Sequence, residues 1–233
     1  MESVLIISWT ILATIFFGFM TVVASFVEKN GNLPHKVISI WGKSIIFVSG
    51  ARVKVRGLCN IDPEKSYIYM PNHQSLFDIP ILTAYLKVQF RWLAKVELFH
   101  IPVFGQAMQH AGYISIDRTN RKAAFESLRK AAEIIRNGVS VLIFPEGTRS
   151  RDGISSFKKG GFVLAVDSGV PIIPIIIHGT REIMPKKKLS FKTGNVVVEV
   201  RPPVETSVYT RKNKDVLLEN VRQVICKSFE KGN

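Results

Sequence analysis

Cysteine is scarce. Cys59 and Cys226 are the only two in 233 residues, and they lie far apart. That excludes a disulfide framework and a thiolate metal cluster, and both read as reduced thiols in a cytosol-facing body. Glycine (16) and proline (11) are too few for a low-complexity chain, and no internal repeat is present. No HExxH, paired CxxC or GxxxxGK occurs, and His35, His100, His110 and His178 lack ligand spacing, so no metal or cofactor is expected. No GxSxG elbow exists either. Ser75, two residues from His73, is awkwardly placed for a serine–histidine pair, which argues against a serine hydrolase. Acidic residues are the scarcer charge, 18 against 32 basic, leaving a net +14. Such an excess implies an anionic partner: nucleic acid, a phosphorylated substrate or a membrane surface.

What the chain does contain begins with a run of 25 residues, Ser3 to Val27, without a charge. As a helix this run extends about 37 Å, enough for a hydrocarbon core of about 30 Å. The acidic Met1-Glu2 start and the length of the run fit a secretory signal poorly. A polar break at Glu28–Asn32 and Pro34 separates it from a second apolar stretch, residues 37–49, which is short and contains Lys43. The first helix can span with the second at the interface, or the two can form a hairpin in one leaflet. Net charge in residues 1–50 is only +1, so the basic excess lies in the remainder. The chain is therefore expected to divide into an anchoring segment, 1–50, and a body, 51–233.

Within the body, strands are expected at 51–57, 67–70, 91–94, 113–116, 139–144 and 195–200, and helices at 76–87, 120–137, 160–168 and 213–230. The segment 171–177 (PIIPIII) carries two prolines and predicts an edge or irregular strand. Alternating strands and helices predict an α/β fold with a largely parallel sheet flanked by helices. Such sheets bind ligands outside the carboxyl ends of their strands. Three polar clusters follow three expected strands there: Asn72-His73, Asp117-Arg118 and Glu146 to Arg149.

His73 and Asp78 are the sharpest pair. In a regular helix they would point about 140° apart. They can meet only if the histidine sits on the turn before a helix and the aspartate in its first turns. A carboxylate bonded to one imidazole nitrogen fixes the tautomer and leaves the other nitrogen for proton transfer. In the cluster Phe144 to Ser150, Gly147 permits a tight turn and Arg149 offers a planar fork to a phosphate. Lys95, near Pro102 and Gly105, adds a further cation, and Phe157–Phe162 is a basic, glycine-rich stretch entering a helix.

Taken together, NHQSLFD (72–78), KVELFHIPVFG (95–105) with the later GYISIDR, FPEGTRS (144–150) and VPIIPI (170–175) resemble, in order and spacing, the four motif blocks of the glycerolipid acyltransferase family. The likeness is to bacterial 1-acyl-sn-glycerol-3-phosphate acyltransferases and covers roughly residues 50–205; the apolar start resembles their two-helix membrane motif. The resemblance implies acyl transfer from a thioester of coenzyme A or acyl carrier protein to the free hydroxyl of lysophosphatidate, without an acyl-enzyme. It implies His73 as general base and Asp78 as its orienting partner. Glu146, Gly147, Thr148 and Arg149 would bind the acceptor, Lys95 and Arg118 would lie near its phosphate, and 170–175 would shape the acyl or active-site wall. It also implies a bacterial cytoplasmic membrane with the catalytic body facing the cytoplasm. Glycerol-3-phosphate or another lysolipid is the nearest alternative acceptor. A nucleic-acid binder would interleave aromatic with basic residues, whereas here the aromatics concentrate in apolar runs. A non-catalytic membrane scaffold would have no need of the His73–Asp78 pair.

Overall fold

The computed structural model describes residues 2–186 and 190–232. The chain opens with two antiparallel helices, α1 (Glu2–Val27) and α2 (Asn32–Ser49), joined by a tight break. Gly31 takes a left-handed φ of 76° in that break, and a Cβ there would lie 2.9 Å from the Ala111 carbonyl oxygen. Arg91 pins the break from the body, donating from Nη2 to the Asn30 carbonyl at 2.6 Å and to Asn32 Oδ1 at 3.2 Å. The two N-terminal helices are thus tied to the body by a buried guanidinium as well as by packing. At Gly42, α2 approaches the body so closely that a Cβ would fall 2.6 Å from the Pro80 carbonyl oxygen.

The body is built on β1 (Arg52–Arg56), β2 (Ile68–Pro71), β3 (Arg91–Lys95), β4 (Ile114–Ile116), β5 (Val141–Leu142), β6 (Ile172–His178) and β7 (Asn195–Val200). Their spatial order is β1-β7-β6-β2-β5-β3-β4, parallel at every pairing except β6 with β7. Between them run α3 (Asp78–Tyr85), α4 (Val96–Phe99), α5 (Phe104–His110), α6 (Arg121–Arg136), α7 (Gly160–Ser168) and α8 (Thr180–Ile183), and α9 (Lys214–Lys231) closes the fold. The α/β class and the largely parallel sheet are as expected from the sequence.

Strand periodicity splits the core between the two faces of the sheet. Tyr69, Ile173, Ile175 and Ile177 pack with α2, α3 and α5 on one face. Ile68, Met70, Ile172 and Ile176 pack with α6, α7 and α9 on the other. Because both faces are covered, β2 and β6 are buried along their whole length, which is why their sequences run apolar without alternation.

Of the two expectations for 171–177, an edge or an irregular strand, the edge position is corrected: β6 lies inside the sheet, between β7 and β2. Strand alternation turns the missing Pro174 donor toward β7, where that strand has already ended. The neighbouring bonds on that side come from Ile172 N–H to the Val204 carbonyl and from Arg201 N–H to the Pro174 carbonyl, each 3.0 Å. A proline is excluded from an inner strand only where a partner awaits its donor, and here none does.

Candidate active site

The sheet brings its polar loops together at one edge. His73 follows β2, Lys95 ends β3, Arg118 follows β4, and Glu146 to Arg149 follow β5. All lie at strand carboxyl ends, where parallel α/β sheets gather ligands.

Asp78 is the first residue of α3, and His73 sits in the turn before it. His73 Nδ1 lies 2.8 Å from Asp78 Oδ2. The same oxygen accepts the backbone N–H groups of Gln74 and Ser75, each at 2.9 Å, while Thr180 donates its hydroxyl to Oδ1. Asp78 is fully buried, and these donors satisfy a charge that burial would otherwise make costly. On its flat side the imidazole stacks on Phe144, centroids 3.8 Å apart and planes 14° from parallel. Nδ1 is committed to Asp78, so Nε2 is the nitrogen left for chemistry. Ser75, the nearby hydroxyl, donates to the Met184 carbonyl at 2.8 Å and accepts from Phe77 N–H, so it closes the turn.

Two loops are locked by Glu146. Its carboxylate accepts from His73 N–H and from Ser155 N–H, each at 2.7 Å. Ser150 N–H returns a bond to the His73 carbonyl at 2.8 Å. Burial raises the Glu146 pKa above the ordinary glutamate value, and the two backbone donors oppose that shift. Glu146 therefore stands behind the histidine, outside the cavity wall. The family resemblance groups it with acceptor-binding residues, but its contacts are those of a brace.

His73 opens on a cavity of about 610 Å³. Its lining falls into two parts. Phe17, Gly18 and Trp41 of α1 and α2, with Leu98, Phe104 and Met108 of the body, form an apolar channel. Lys95, Arg118, Gly147, Thr148, Arg149 and Lys186 form a cationic mouth. Arg118 Nη1 donates to the Gly147 carbonyl, and Lys186 Nζ to the Arg149 carbonyl. The Arg149 guanidinium has no protein hydrogen bond or ion pair among the described residues. Gly147 holds a left-handed φ of 74°, and a Cβ there would meet Arg118 Nη1 at 2.6 Å.

Of the residues singled out from sequence, His73, Lys95, Arg118, Gly147, Thr148 and Arg149 share this cavity, Asp78 stands behind His73, and Glu146 braces it. The stretch 170–175 does not line the cavity, because β6 is enclosed within the sheet. Sequence reasoning missed Lys186, whose signal was only one lysine in a basic run, and missed that α1 and α2 supply a cavity wall. It also missed Val103, held at φ 63° in a tight γ-turn closed by Phe104 N–H to the Pro102 carbonyl at 2.7 Å. Gly18 of α1 makes room for that turn; a Cβ there would lie 2.7 Å from Val103 Cγ1.

Fold and site together define a class: an α/β protein with a histidine–carboxylate centre at the sheet's carboxyl edge, opening into a cavity apolar at one end and cationic at the other. The Acyltransferase family model matches residues 52–178. A chloroplastic 1-acyl-sn-glycerol-3-phosphate acyltransferase of Arabidopsis thaliana is 34% identical over 199 residues, 84% of this chain and 54% of the plant protein. The human 1-acyl-sn-glycerol-3-phosphate acyltransferase alpha is 34% identical over 196 residues, 83% of this chain and 69% of its own length. The crystal structure of the 1-acyl-sn-glycerophosphate acyltransferase PlsC from Thermotoga maritima superposes with a TM-score of 0.85 at 30% identity, covering 99% of this chain and 94% of that one. The chain belongs to the acyltransferase family. It spans little more than half the length of the chloroplastic relatives from Arabidopsis thaliana and Brassica napus.

Proposed function

We propose that the protein transfers a fatty acyl group from an acyl thioester to the sn-2 hydroxyl of 1-acyl-sn-glycerol-3-phosphate, producing phosphatidate for phospholipid synthesis. The observation that carries this reading is His73 at the junction of an apolar channel and a cationic mouth in one cavity. A lysophosphatidate needs both: a channel for hydrocarbon and a cluster of cations for its phosphate. The relatives' names point to the same acceptor.

The reaction requires a base and a way to hold two amphiphiles. His73 Nε2 takes the proton of the acceptor hydroxyl as its oxygen attacks the thioester carbonyl. A carbon–oxygen bond forms, the carbon–sulfur bond breaks, and the imidazolium returns the proton to the leaving thiolate. Asp78 fixes the tautomer through Nδ1 and stabilises the imidazolium. General-base assistance of this kind contributes about 10²–10⁴ in rate. Ser75 is engaged at both its donor and its acceptor, which supports direct transfer over a serine-bound acyl intermediate. Arg149 presents its fork to the acceptor phosphate, with Lys95, Arg118 and Lys186 around it and Thr148 beside it.

Residues 1–50 act as the membrane anchor, and 51–233 as the catalytic body. α1 is long and apolar enough to cross a membrane. Its outer side exposes Leu12, Phe16, Phe19 and Phe26, 59% to 76% accessible, an apolar surface suited to lipid and not to water. Both ends of α1 touch the body, Ser3 Oγ donating to the Phe191 carbonyl at 3.2 Å and Ser25 Oγ lying 2.8 Å from His110 Nδ1, so the helix lies along one leaflet with the body beside it, on the cytoplasmic side of a cytoplasmic membrane as in a bacterial cell. The experiment is mass spectrometry of purified protein with lysophosphatidate and palmitoyl thioesters. Formation of phosphatidate supports the reading. Transfer to glycerol-3-phosphate or another lysolipid in preference overturns the acceptor assignment.

A further inference from the structure

A second concavity, about 890 Å³, lies on the opposite side of the sheet from α1 and α2. Its floor is apolar: Phe125 and Leu128 of α6 and Val163 of α7. Phe125 is 49% exposed, unusual for an aromatic ring on a helix already packed on its core side. Cations rim it from three elements: Lys122 on α6, Lys214 on α9, and Arg211, whose guanidinium carbon stands 5.9 Å from the Phe125 ring centroid. Lys212 follows Arg211 in the chain, and Lys158 and Lys159 precede Gly160 of the lining. Among the described residues, two acids form ion pairs with them. Asp167 takes the Arg211 fork at 2.6 and 2.7 Å, and Asp215 takes Lys159 at 2.8 Å. Lys122, Lys158 and Lys212 have no ion pair among the described residues.

The groove adjoins the mouth of the active-site cavity. A Cβ on Gly147 would lie 3.4 Å from Lys158 Cγ, and two residues further on Gly160 lines the groove. On its other flank, Lys122 follows Arg118 by one turn of chain. A ligand seated in the groove is therefore beside the entrance to His73, on the side of the body turned away from α1.

We infer that this groove docks an acidic carrier protein that delivers the acyl chain as a thioester on a flexible arm, an inference that rests on the acyl-transfer reading above. An exposed apolar centre with a charged rim is the anatomy of a protein interface. The rim's excess positive charge selects an acidic partner and steers it on approach. A bilayer does not fit, because the lipid-suited surface is on the other side of the sheet. The nucleotide end of coenzyme A fits less well, because the Arg211 fork that would grip its phosphates is already occupied by Asp167.

The test uses Lys122→Glu/Lys214→Glu. Both positions lie in first turns of helices, where an acid is favoured by the helix dipole, so the fold is preserved. kcat/KM is measured with palmitoyl-loaded acyl carrier protein and with palmitoyl-CoA, and binding of the unloaded carrier by calorimetry. The inference predicts that the variant loses about tenfold or more with the carrier donor while palmitoyl-CoA turnover stays within about twofold. It also predicts that salt weakens wild-type carrier binding, and that the variant loses that binding. Unchanged carrier kinetics overturn it, as does an equal loss with both donors, a loss with palmitoyl-CoA alone, or no wild-type binding of the carrier. If neither donor supports transfer by wild type, the functional reading fails, and carrier binding still decides the groove.

Discussion

α1 and α6 lie on opposite sides of one sheet and turn opposite chemistries outward. α1 presents Phe16, Phe19 and Phe26. α6 presents charges, with Arg129 paired to Glu126 at 3.3 Å and to Glu133 at 3.6 Å. Each helix buries its inner side against apolar neighbours, so packing does not distinguish them. The difference lies in what each outer side offers its surroundings: an apolar surface suited to hydrocarbon in one case, a charged surface suited to water in the other. The active-site cavity bridges the two. It is walled by α1 and α2 at one end and by the loops that lead to α6 and α7 at the other. The acyl transfer proposed above, between two lipid-tailed molecules at a charged head, needs such a division.

Removing one side of the contrast gives the largest expected effect. Deleting residues 1–50 takes away both the lipid-suited surface and a cavity wall. Each Leu, Ile or Phe moved from water to an apolar surrounding contributes about 1.5–3 kcal/mol, so the truncated body should leave the membrane fraction in flotation and lose turnover on bilayer substrate. High salt alone should not release the full chain, because that attachment is apolar. Release in salt, or tight binding by the truncated body, breaks the comparison.

A subtler change keeps the exposed apolar side of α1 and blocks its inner side. Gly18→Leu places a side chain where Val103 already sits 2.7 Å from a Cβ position. Overpacking of this kind costs about 1–3 kcal/mol. Turnover should fall about tenfold or more through the acyl channel, with membrane flotation unchanged. Equal loss of flotation would mean that Gly18 serves the anchor and not the channel.

At the polar end, Arg149→Ala should raise the acceptor KM. Loss of a charge-assisted bond contributes about 1.5–3 kcal/mol, roughly tenfold to a hundredfold in KM. Arg149→Lys should recover only part, since a point charge cannot reproduce the fork. An unchanged KM would make the residue structural.

The smallest effect concerns the water-facing core. His178, at the end of β6, is buried against Phe229 of α9, and neither ring nitrogen has a hydrogen bond among the described residues. Burial lowers its pKa below the usual histidine value, with Glu199 and Glu182 opposing the shift. The unfolded chain therefore binds the proton more readily than the fold does. Stability is full above the unfolded histidine pKa and falls as pH drops through it toward the lower folded value. His178→Phe should flatten thermal melting temperature against pH across that interval, by a few degrees at most. An unaltered slope would assign the acid sensitivity elsewhere.

Much of this architecture was legible in the sequence. The helices α6, α7 and α9 fall within about two residues of expectation because their apolar stripes and caps are local signals, as at Asn120, which accepts from Lys122 and Ala123 N–H. β7 was read at its observed limits. The short helices α4, α5 and α8 were not, because one turn carries too little periodicity to register. β6 was misplaced because proline rules speak of a missing donor and not of which side of the strand it faces. Within the site, spacing alone could demand that His73 and Asp78 meet across a turn. The role of Glu146 could not be read, since a carboxylate that braces a loop and one that binds a ligand look alike in sequence. Lys186 and the α1 wall came from contacts between segments more than thirty residues apart, which no local pattern records.

The account turns on His73, and the most direct measurement is phosphatidate formation by His73→Ala reconstituted in vesicles with lysophosphatidate and palmitoyl thioester. Proton transfer through Nε2 predicts a fall of about 10²–10⁴ in kcat, with folding and membrane flotation as in wild type, and Asp78→Asn likewise slowed by orders of magnitude at nearly constant acceptor KM. Wild-type turnover by His73→Ala would contradict the account.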